Sequence, residues 1–266
     1  MKRIFLSADI EGVCGAAHWD EADRTRPDYA TFSRQMSREA AAACEGAFSA
    51  GAEEVLVRDG HGSARNIDPS ALPAEARLFR GWAREPMGMM SGLDATFDGV
   101  LFTGYHGAAG WSGNPLSHTV SRGIASIRLN GEDCPELMIN SLTAAMVGVP
   151  VLMVSGDAQL CDWFHAHVPE AVTVPVSKGV GNGSIAMHPD RAVGLIRQGA
   201  VRAMRLDPER CYFPMPERFA VAVQYVQHAA ARSAGWYPGA RQTDSRTVAF
   251  SSDQWREVLT FFHFCL

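Results

Sequence analysis

The chain opens with the stretch KRIFLSADIEG at residues 2–12, an apolar run that ends in two carboxylates separated by one residue. Side chains alternate between the two faces of an extended segment, so Asp9 and Glu11 are predicted to point the same way. Because ligands bind at the carboxyl ends of strands in open α/β sheets, the pair is interpreted as half of a metal site. The alternative is a loop in which Asp9 caps a turn and Glu11 is solvated.

Strand and helix patterns alternate along the rest of the chain. A helical pattern over 29–50, followed by a second strand over 54–58, predicts a βαβ unit after the first strand. Asn130-Gly131 predicts a tight turn between strands, and residues 179–183 are predicted to form a loop. The alternation predicts an α/β fold, with a three-layer Rossmann-like, metal-binding core over 1–175 and a smaller α+β domain over 176–266.

Composition limits the classes of function. The 266-residue chain has a formal net charge of -5, which argues against nucleic acid or an anionic membrane as a partner. No secretory signal or membrane-spanning run is recognised, so a cytoplasmic protein is expected. The 6 cysteines have no C-x-x-C spacing and indicate neither a thiolate zinc site nor a disulfide framework.

Two histidines follow predicted strands. His61 lies in RDGHG at 58–62, and His106 lies in LFTGYHG at 101–107. Either one alone is most simply a hydrogen-bonded loop residue. Together with Asp9 and Glu11, however, they occupy equivalent strand ends, which is how a doubly wound sheet assembles a site.

Three further residues have competing interpretations. Glu136 has capping-box spacing from Asp133, and Asp157 follows a strand as a helix N-cap would, so capping is the first interpretation of both. His118 lies in a loop 12 residues beyond His106, where an imidazole beside a metal site would suit acid/base chemistry. The motifs G-x-G-x-x-G, G-x-S-x-G and H-E-x-x-H are absent from the sequence.

The ordered set of these motifs resembles a known family, the bacterial zinc D-aminopeptidases of peptidase family M55, called DppA-like and once described as dipeptide transport proteins. The resemblance rests on SADIEG at 7–12, His61, GYH at 104–106, SH at 117–118 and Glu136, and extends over essentially the whole chain. Gly60 and Gly62 depart from the family, which has serine there, so the rim of the pocket is expected to differ.

The resemblance implies a metal centre, a reaction and an assembly. The implied centre holds two Zn²⁺ ions per subunit, with Asp9 as the bridging ligand, and Mn²⁺ or Co²⁺ as possible replacements. His118 is the implied catalytic residue, as nucleophile or general base, unless water activated by the ions attacks and His118 assists. The implied substrates are short D-amino-acid peptides, and the implied assembly is a homo-oligomer of five or ten subunits. The implied metal ligands are Asp9, Glu11, His61, His106 and Glu136.

Two other functions stay open at this point. The first is a peptide-binding protein with a structural metal site, which the older transport name suggests. The second is a two-metal hydrolase acting on a phosphoester or another amide. A phosphoester would call for a basic cluster near the ligands, and only Arg58, Arg65 and Arg122 are close in sequence.

Overall fold

The computed structural model describes residues 2–266 and contains two sheets. The larger sheet has seven strands in the order β3-β2-β1-β4-β7-β8-β9, and every neighbouring pair is parallel except β8 with β9. Its strands are β1 (Arg3–Ala8), β2 (Glu54–Asp59), β3 (Arg77–Phe79), β4 (Gly99–Tyr105), β7 (Val151–Asp157), β8 (Val172–Val180) and β9 (Gly183–Ala186).

Helices cover the large sheet because its central strands are apolar on both faces. Every residue of β4 and β7 is buried, as expected for parallel strands enclosed between helix layers. On one face α2 (Tyr29–Ser49) packs against α5 (Pro189–Ala203). The two helices approach closely at Gly46, where a Cβ atom would lie 2.4 Å from the carbonyl oxygen of Arg197. The other helices near this sheet are α1 (Trp19–Ala22), α3 (Glu136–Met146) and α4 (Ala158–His167).

The second sheet is antiparallel and has five strands in the order β11-β12-β10-β5-β6. Two of its strands, β5 and β6, are joined by Asn130 and Gly131 with φ of 52° and 87°, which confirms the predicted tight turn. Helices α6 (His228–Ala234) and α7 (Trp255–Cys265) pack against it. The strands are β5 (Ile124–Leu129), β6 (Glu132–Asp133), β10 (Phe219–Tyr225), β11 (Arg241–Gln242) and β12 (Thr247–Ser252).

The predicted fold class is confirmed, with two differences in detail. Residues 179–183 are not a loop, because β8 extends to Val180 and pairs with β9 across a short turn. The strands β5 and β6 lie well before residue 175 yet join the antiparallel sheet, while β9, which lies beyond residue 175, continues the large one. The division into domains 1–175 and 176–266 stays a prediction.

The strand order creates a switch point beside β1. The chain leaves β1 towards β2 and β3, and then returns to form β4 on the other side of β1. Loops that leave β1 and β4 diverge from this point and open a crevice at the carboxyl ends of the strands, where open α/β sheets bind ligands. Among residues 2–266, no helix is both long enough and apolar enough to cross a membrane.

Candidate active site

Asp9 and Glu11 lie just beyond β1 in the crevice at the switch point. Asp9 is 3% exposed and Glu11 is 2% exposed. Backbone hydrogen bonds extend past the strand, since the Asp9 N–H donates to the Thr103 carbonyl oxygen at 2.9 Å and the Gly12 N–H to that of Gly104 at 2.8 Å. These bonds hold both carboxylates beside the end of β4.

His61 reaches the two carboxylates from the loop after β2. Its Nδ1 lies 3.4 Å from Asp9 Oδ1 and 3.1 Å from Glu11 Oε2. Its Nε2 lies 2.7 Å from the Ala22 carbonyl oxygen, which can only accept a hydrogen bond. Nε2 therefore carries a proton, and Nδ1 is the ring nitrogen that faces the carboxylates and could bind a metal ion.

Asp59 and Asn66 shape the loop that carries His61. The Asp59 carboxylate accepts hydrogen bonds from the backbone N–H groups of Asn66 and Ile67 at 2.5 and 2.8 Å, and from Asn66 Nδ2 at 2.7 Å. Asn66 Nδ2 also donates to the His61 carbonyl oxygen at 2.7 Å. No motif in the sequence predicts this support, although Asp59 is the last residue of the buried end of β2.

His106 approaches Asp9 from the opposite side. Its Nε2 lies 3.4 Å from Asp9 Oδ2 and 3.7 Å from Glu136 Oε1, and the side chain is fully buried. Its Nδ1 lies 3.0 Å from the Gly107 carbonyl oxygen, which requires the proton on Nδ1. The two oxygens of Asp9 therefore face nitrogens of two different imidazoles, each of which could bind a metal ion.

Glu136 and His118 complete the cluster. The helix α3 has Pro135 as its N-cap with no side-chain capping bond, so the predicted capping box is not formed. Glu136 Oε1 instead accepts a hydrogen bond from the Val120 backbone N–H at 2.7 Å and lies 3.6 Å from His118 Nε2. His118 Nε2 is also 3.9 Å from Glu11 Oε1.

Asp157, in contrast, is a helix cap as predicted. Its Oδ1 accepts a hydrogen bond from the Leu160 N–H at 2.9 Å at the start of α4. Its Oδ2 accepts a second bond from the Gly107 N–H at 2.7 Å. Asp157 therefore also fixes the backbone that immediately follows His106.

The donor atoms suit metal ions. Two groups of three donors lie within 4.8 Å, one formed by Asp9, Glu11 and His61 and the other by His106, His118 and Glu136. Two ligand atoms bound about 2.1 Å from one tetrahedral zinc ion are about 3.4 Å apart. The histidine nitrogens of this cluster lie at similar distances from the oxygens of Asp9 and Glu11. Glu11 Oε2 and His106 Nε2 are buried without a hydrogen-bond partner, which a metal ion would supply.

The electrostatics of the cluster favour added positive charge. Burial raises the pKa of Asp9, but the imidazoles of His106 and His61 that face its two oxygens outweigh burial and hold that pKa well below the usual range. Burial lowers the pKa of His106, yet the carboxylates of Glu136 and Asp9 raise it to about 10. In the same way, Glu11 and Asp9 raise the pKa of His61 against the effect of burial. Divalent cations bound here would also supply positive charge beside these buried carboxylates.

The cluster lies at the base of a cavity of about 530 Å³. Segment 82–91 and the C-terminal helix α7 form much of its wall. Residues from these parts include Trp82, Met87, Met89 and Phe262, so the wall is mostly apolar beside an acidic floor. A pocket with a few polar groups converging at one end is typical of a small-ligand site.

The parallel sheet, with histidine and carboxylate donors gathered at its switch point, defines an α/β metalloenzyme. The family follows from comparison with known proteins: a family model described as "Peptidase_M55: D-aminopeptidase" matches residues 1–264, so the chain belongs to the D-aminopeptidase family M55. The D-aminopeptidase of Bacillus subtilis (strain 168) is 29% identical over 258 residues, which are 96% of this chain and 93% of that protein.

A solved structure is similar over almost the whole chain. It is the Zn-dependent D-aminopeptidase DppA from Bacillus subtilis, described as a self-compartmentalizing protease. The TM-score is 0.92 at 27% sequence identity, and the match covers 99% of this chain and 96% of that one. The predicted resemblance to the D-aminopeptidases is thus confirmed.

Proposed function

We propose that this chain is a two-zinc aminopeptidase that removes the N-terminal residue of short peptides, with D-amino-acid peptides as its substrates. Family membership and the metal-ligand character of the site support the reaction class. The proposal rests mainly on the position of Asp9, because one of its carboxylate oxygens faces His61 and the other faces His106. A carboxylate in this position suits the bridge between two metal ions.

The ligand set proposed for the two ions follows from these contacts. Asp9, Glu11 and His61 would hold one ion, and Asp9, His106 and Glu136 would hold the other. Three carboxylates then offset most of the charge of two divalent cations. Imidazole and carboxylate donors also accept Mn²⁺ or Co²⁺, so the selectivity for zinc rests on the similarity to the zinc-dependent relative.

Zinc bound here would polarise the scissile carbonyl and make an attacking water more acidic. His118 is the proposed catalytic residue. Its Nδ1 lies 3.0 Å from the Leu116 carbonyl oxygen and so carries the proton, which leaves the Nε2 lone pair facing Glu11 and Glu136. A neutral imidazole held in this way can accept a proton at Nε2 and return it to the departing amine.

The assembly and the location are also proposals. The structurally similar relative is described as self-compartmentalizing, and we extend this to a homo-oligomer of five or ten copies of this chain. Enclosure of the site would restrict entry to short peptides. A cytoplasmic location agrees with such peptides as substrates.

A phosphoester substrate has less support from the site. Arg58 is fully buried and stacks against Phe79 and Trp82 with its Nη1 bonded to the Gly81 carbonyl oxygen, so it does not enter the cavity. Among the described residues that line the cavity, Arg84 alone carries a guanidinium or ammonium group. Apart from the proposed metal ions, the cavity therefore offers a phosphate a single cationic side chain of this kind.

Hydrolysis of matched substrates tests the proposal. Zinc-loaded protein is given paired dipeptides and amino-acid amides that differ only in the D or L configuration of the first residue, with and without chelator. Release of the first D-residue, abolished by chelator and restored by zinc, is expected. Binding without hydrolysis would instead favour the peptide-binding alternative.

A further inference from the structure

Asn140 lies on α3 one helical turn after Glu136 and lines the same cavity. It is 4% exposed, and the metal site as proposed gives it no role. Residues four apart on a helix share a face, about 5–6 Å from each other. The side chain of Asn140 therefore lies next to the proposed ligands without being one of them.

A chain of hydrogen bonds fixes which way the Asn140 amide points. Ser7 Oγ lies 3.2 Å from the Met89 carbonyl oxygen, which can only accept, so the Ser7 hydroxyl donates there. Tyr105 Oη lies 2.7 Å from Ser7 Oγ and must therefore donate to it. Because the Tyr105 hydroxyl proton is donated to Ser7, Tyr105 Oη can only accept a hydrogen bond from Asn140. The Asn140 atom that lies 2.9 Å from Tyr105 Oη is therefore the donor Nδ2.

A second contact agrees with this orientation. Asn140 Nδ2 also lies 3.4 Å from Met89 Sδ, which is an acceptor only. The amide nitrogen is thus directed at Tyr105 and Met89, and Oδ1 is the amide atom left for the cavity. No hydrogen bond from a described residue reaches Oδ1, so it is a fixed acceptor with free capacity beside the acidic floor.

We propose that Asn140 Oδ1 accepts a hydrogen bond from the free N-terminal ammonium of the substrate, which makes the enzyme selective for peptides with an unblocked amine. This inference rests on the proposed aminopeptidase function. The amine of such a substrate is one carbon away from the scissile carbonyl, so its acceptor must lie close to the metal ligands. Asn140 is one turn from Glu136, and an ammonium group donates a stronger hydrogen bond to an amide oxygen than a neutral donor does.

The test compares two ligands that differ only in the amine. D-Alanyl-D-alanine carries the ammonium, whereas N-propionyl-D-alanine has hydrogen in its place. Both kcat/KM and calorimetric affinity are measured on zinc-loaded protein for wild type and Asn140→Ala. Wild type is expected to prefer the dipeptide at least tenfold, and Asn140→Ala is expected to lose about tenfold to hundredfold of that preference.

Ser141→Ala is the matched control. Ser141 is the next residue on α3 and is buried, its hydroxyl has no hydrogen-bond partner, and it is not among the residues that line the cavity. It should keep the wild-type preference. Equal loss for both ligands in Asn140→Ala, or an unchanged preference, would overturn the inference.

The two proposals fail separately. If wild type binds both ligands but cleaves neither, the aminopeptidase function fails, and the calorimetric preference still decides the role of Asn140. If wild type cleaves the dipeptide and prefers it, but Asn140→Ala keeps the same preference, the function stands and the role of Asn140 is wrong.

Discussion

The imidazole rings of His106 and His118 are stacked, with their centroids 4.4 Å apart and their planes inclined by 10°. The edge of Trp19 contacts His118 at a centroid distance of 5.1 Å. His106 is fully buried, whereas His118 lies on the cavity wall with its side chain 13% exposed. The stack therefore places His118 at the boundary between the proposed metal ligands and the cavity.

Replacement of His118 by alanine is expected to separate catalysis from metal binding. If His118 moves a proton, His118→Ala should lower kcat by about 10²–10⁴-fold, and the zinc content should stay at the wild-type value. Mass spectrometry of the native protein and steady-state kinetics measure the two quantities. His165→Ala, on the exposed side of α4, is the control. Loss of zinc from His118→Ala would show that His118 is a ligand instead.

Removal of the Asp59 carboxylate should weaken metal binding without touching a ligand. Asp59 organises the His61 loop through Asn66 and Ile67. Asp59→Ala is therefore expected to weaken zinc affinity by about 10–100-fold, as measured by competition with a chelator. Asp68→Ala, which removes an exposed carboxylate from a short 3-10 turn nearby, should leave the affinity unchanged. Equal affinities in Asp59→Ala and wild type would remove this role from Asp59.

Gly12 is predicted to be intolerant of a side chain. A Cβ atom at this position would lie 1.8 Å from the Tyr105 carbonyl oxygen, and backbone cannot yield as a flexible side chain can. Gly12→Ala should lower the free energy of unfolding by about 1–3 kcal/mol or more and weaken zinc binding, because it separates β1 from β4. Gly194→Ala is the opposite case, since its Cβ meets nothing within 4 Å on α5. The free energy of unfolding of Gly194→Ala, measured by chemical denaturation, should be about 0.5–1 kcal/mol higher than that of wild type.

Glu39 should make stability depend on pH. It lies on α2, and burial raises its pKa to about 7, against the hydrogen bonds that its Oε1 accepts from Cys14 N–H and Gln35 Nε2. The native state then holds a proton that the unfolded state releases between about pH 4.5 and 7. The free energy of unfolding should fall as pH rises through that window, by up to about 3 kcal/mol.

Glu39→Gln keeps a neutral group and should remove this contribution. The difference between the wild-type and variant unfolding curves, measured in zinc-saturated protein, isolates Glu39 from the other titrating groups. The free energy of unfolding of the variant is expected to increase relative to that of wild type as pH rises from 4.5 to 7. Above pH 7 the difference should stay constant. A constant difference across the range would show that the native Glu39 is ionised throughout.

Much of the candidate site can be predicted from the sequence because strand ends have local signals. Asp9, Glu11, His61 and His106 each lie within a few residues of the end of an apolar run, and the parallel sheet brings such positions together. Glu136 could not be found from the residues alone. Its spacing from Asp133 is that of a capping box, and only the family resemblance pointed to the site.

Residues whose roles depend on tertiary contacts gave weaker signals. The orientation of Asn140 follows from a hydrogen-bond chain through Tyr105 and Ser7, which belong to two distant strands. Its sequence signal was limited to the four-residue spacing from Glu136. In the same way, β5 has an ordinary strand pattern, and nothing local shows that it pairs with β10, almost a hundred residues later in the chain, rather than with the large sheet.

The zinc content of wild type and Asp9→Ala, measured together with peptide hydrolysis, tests the central claim most directly. If Asp9 bridges two ions, wild type should contain two zinc ions per chain. Asp9→Ala should lose both ions and all hydrolysis of D-amino-acid peptides. Asp9→Ala protein that retains its zinc and turns over substrate at the wild-type rate would contradict the account.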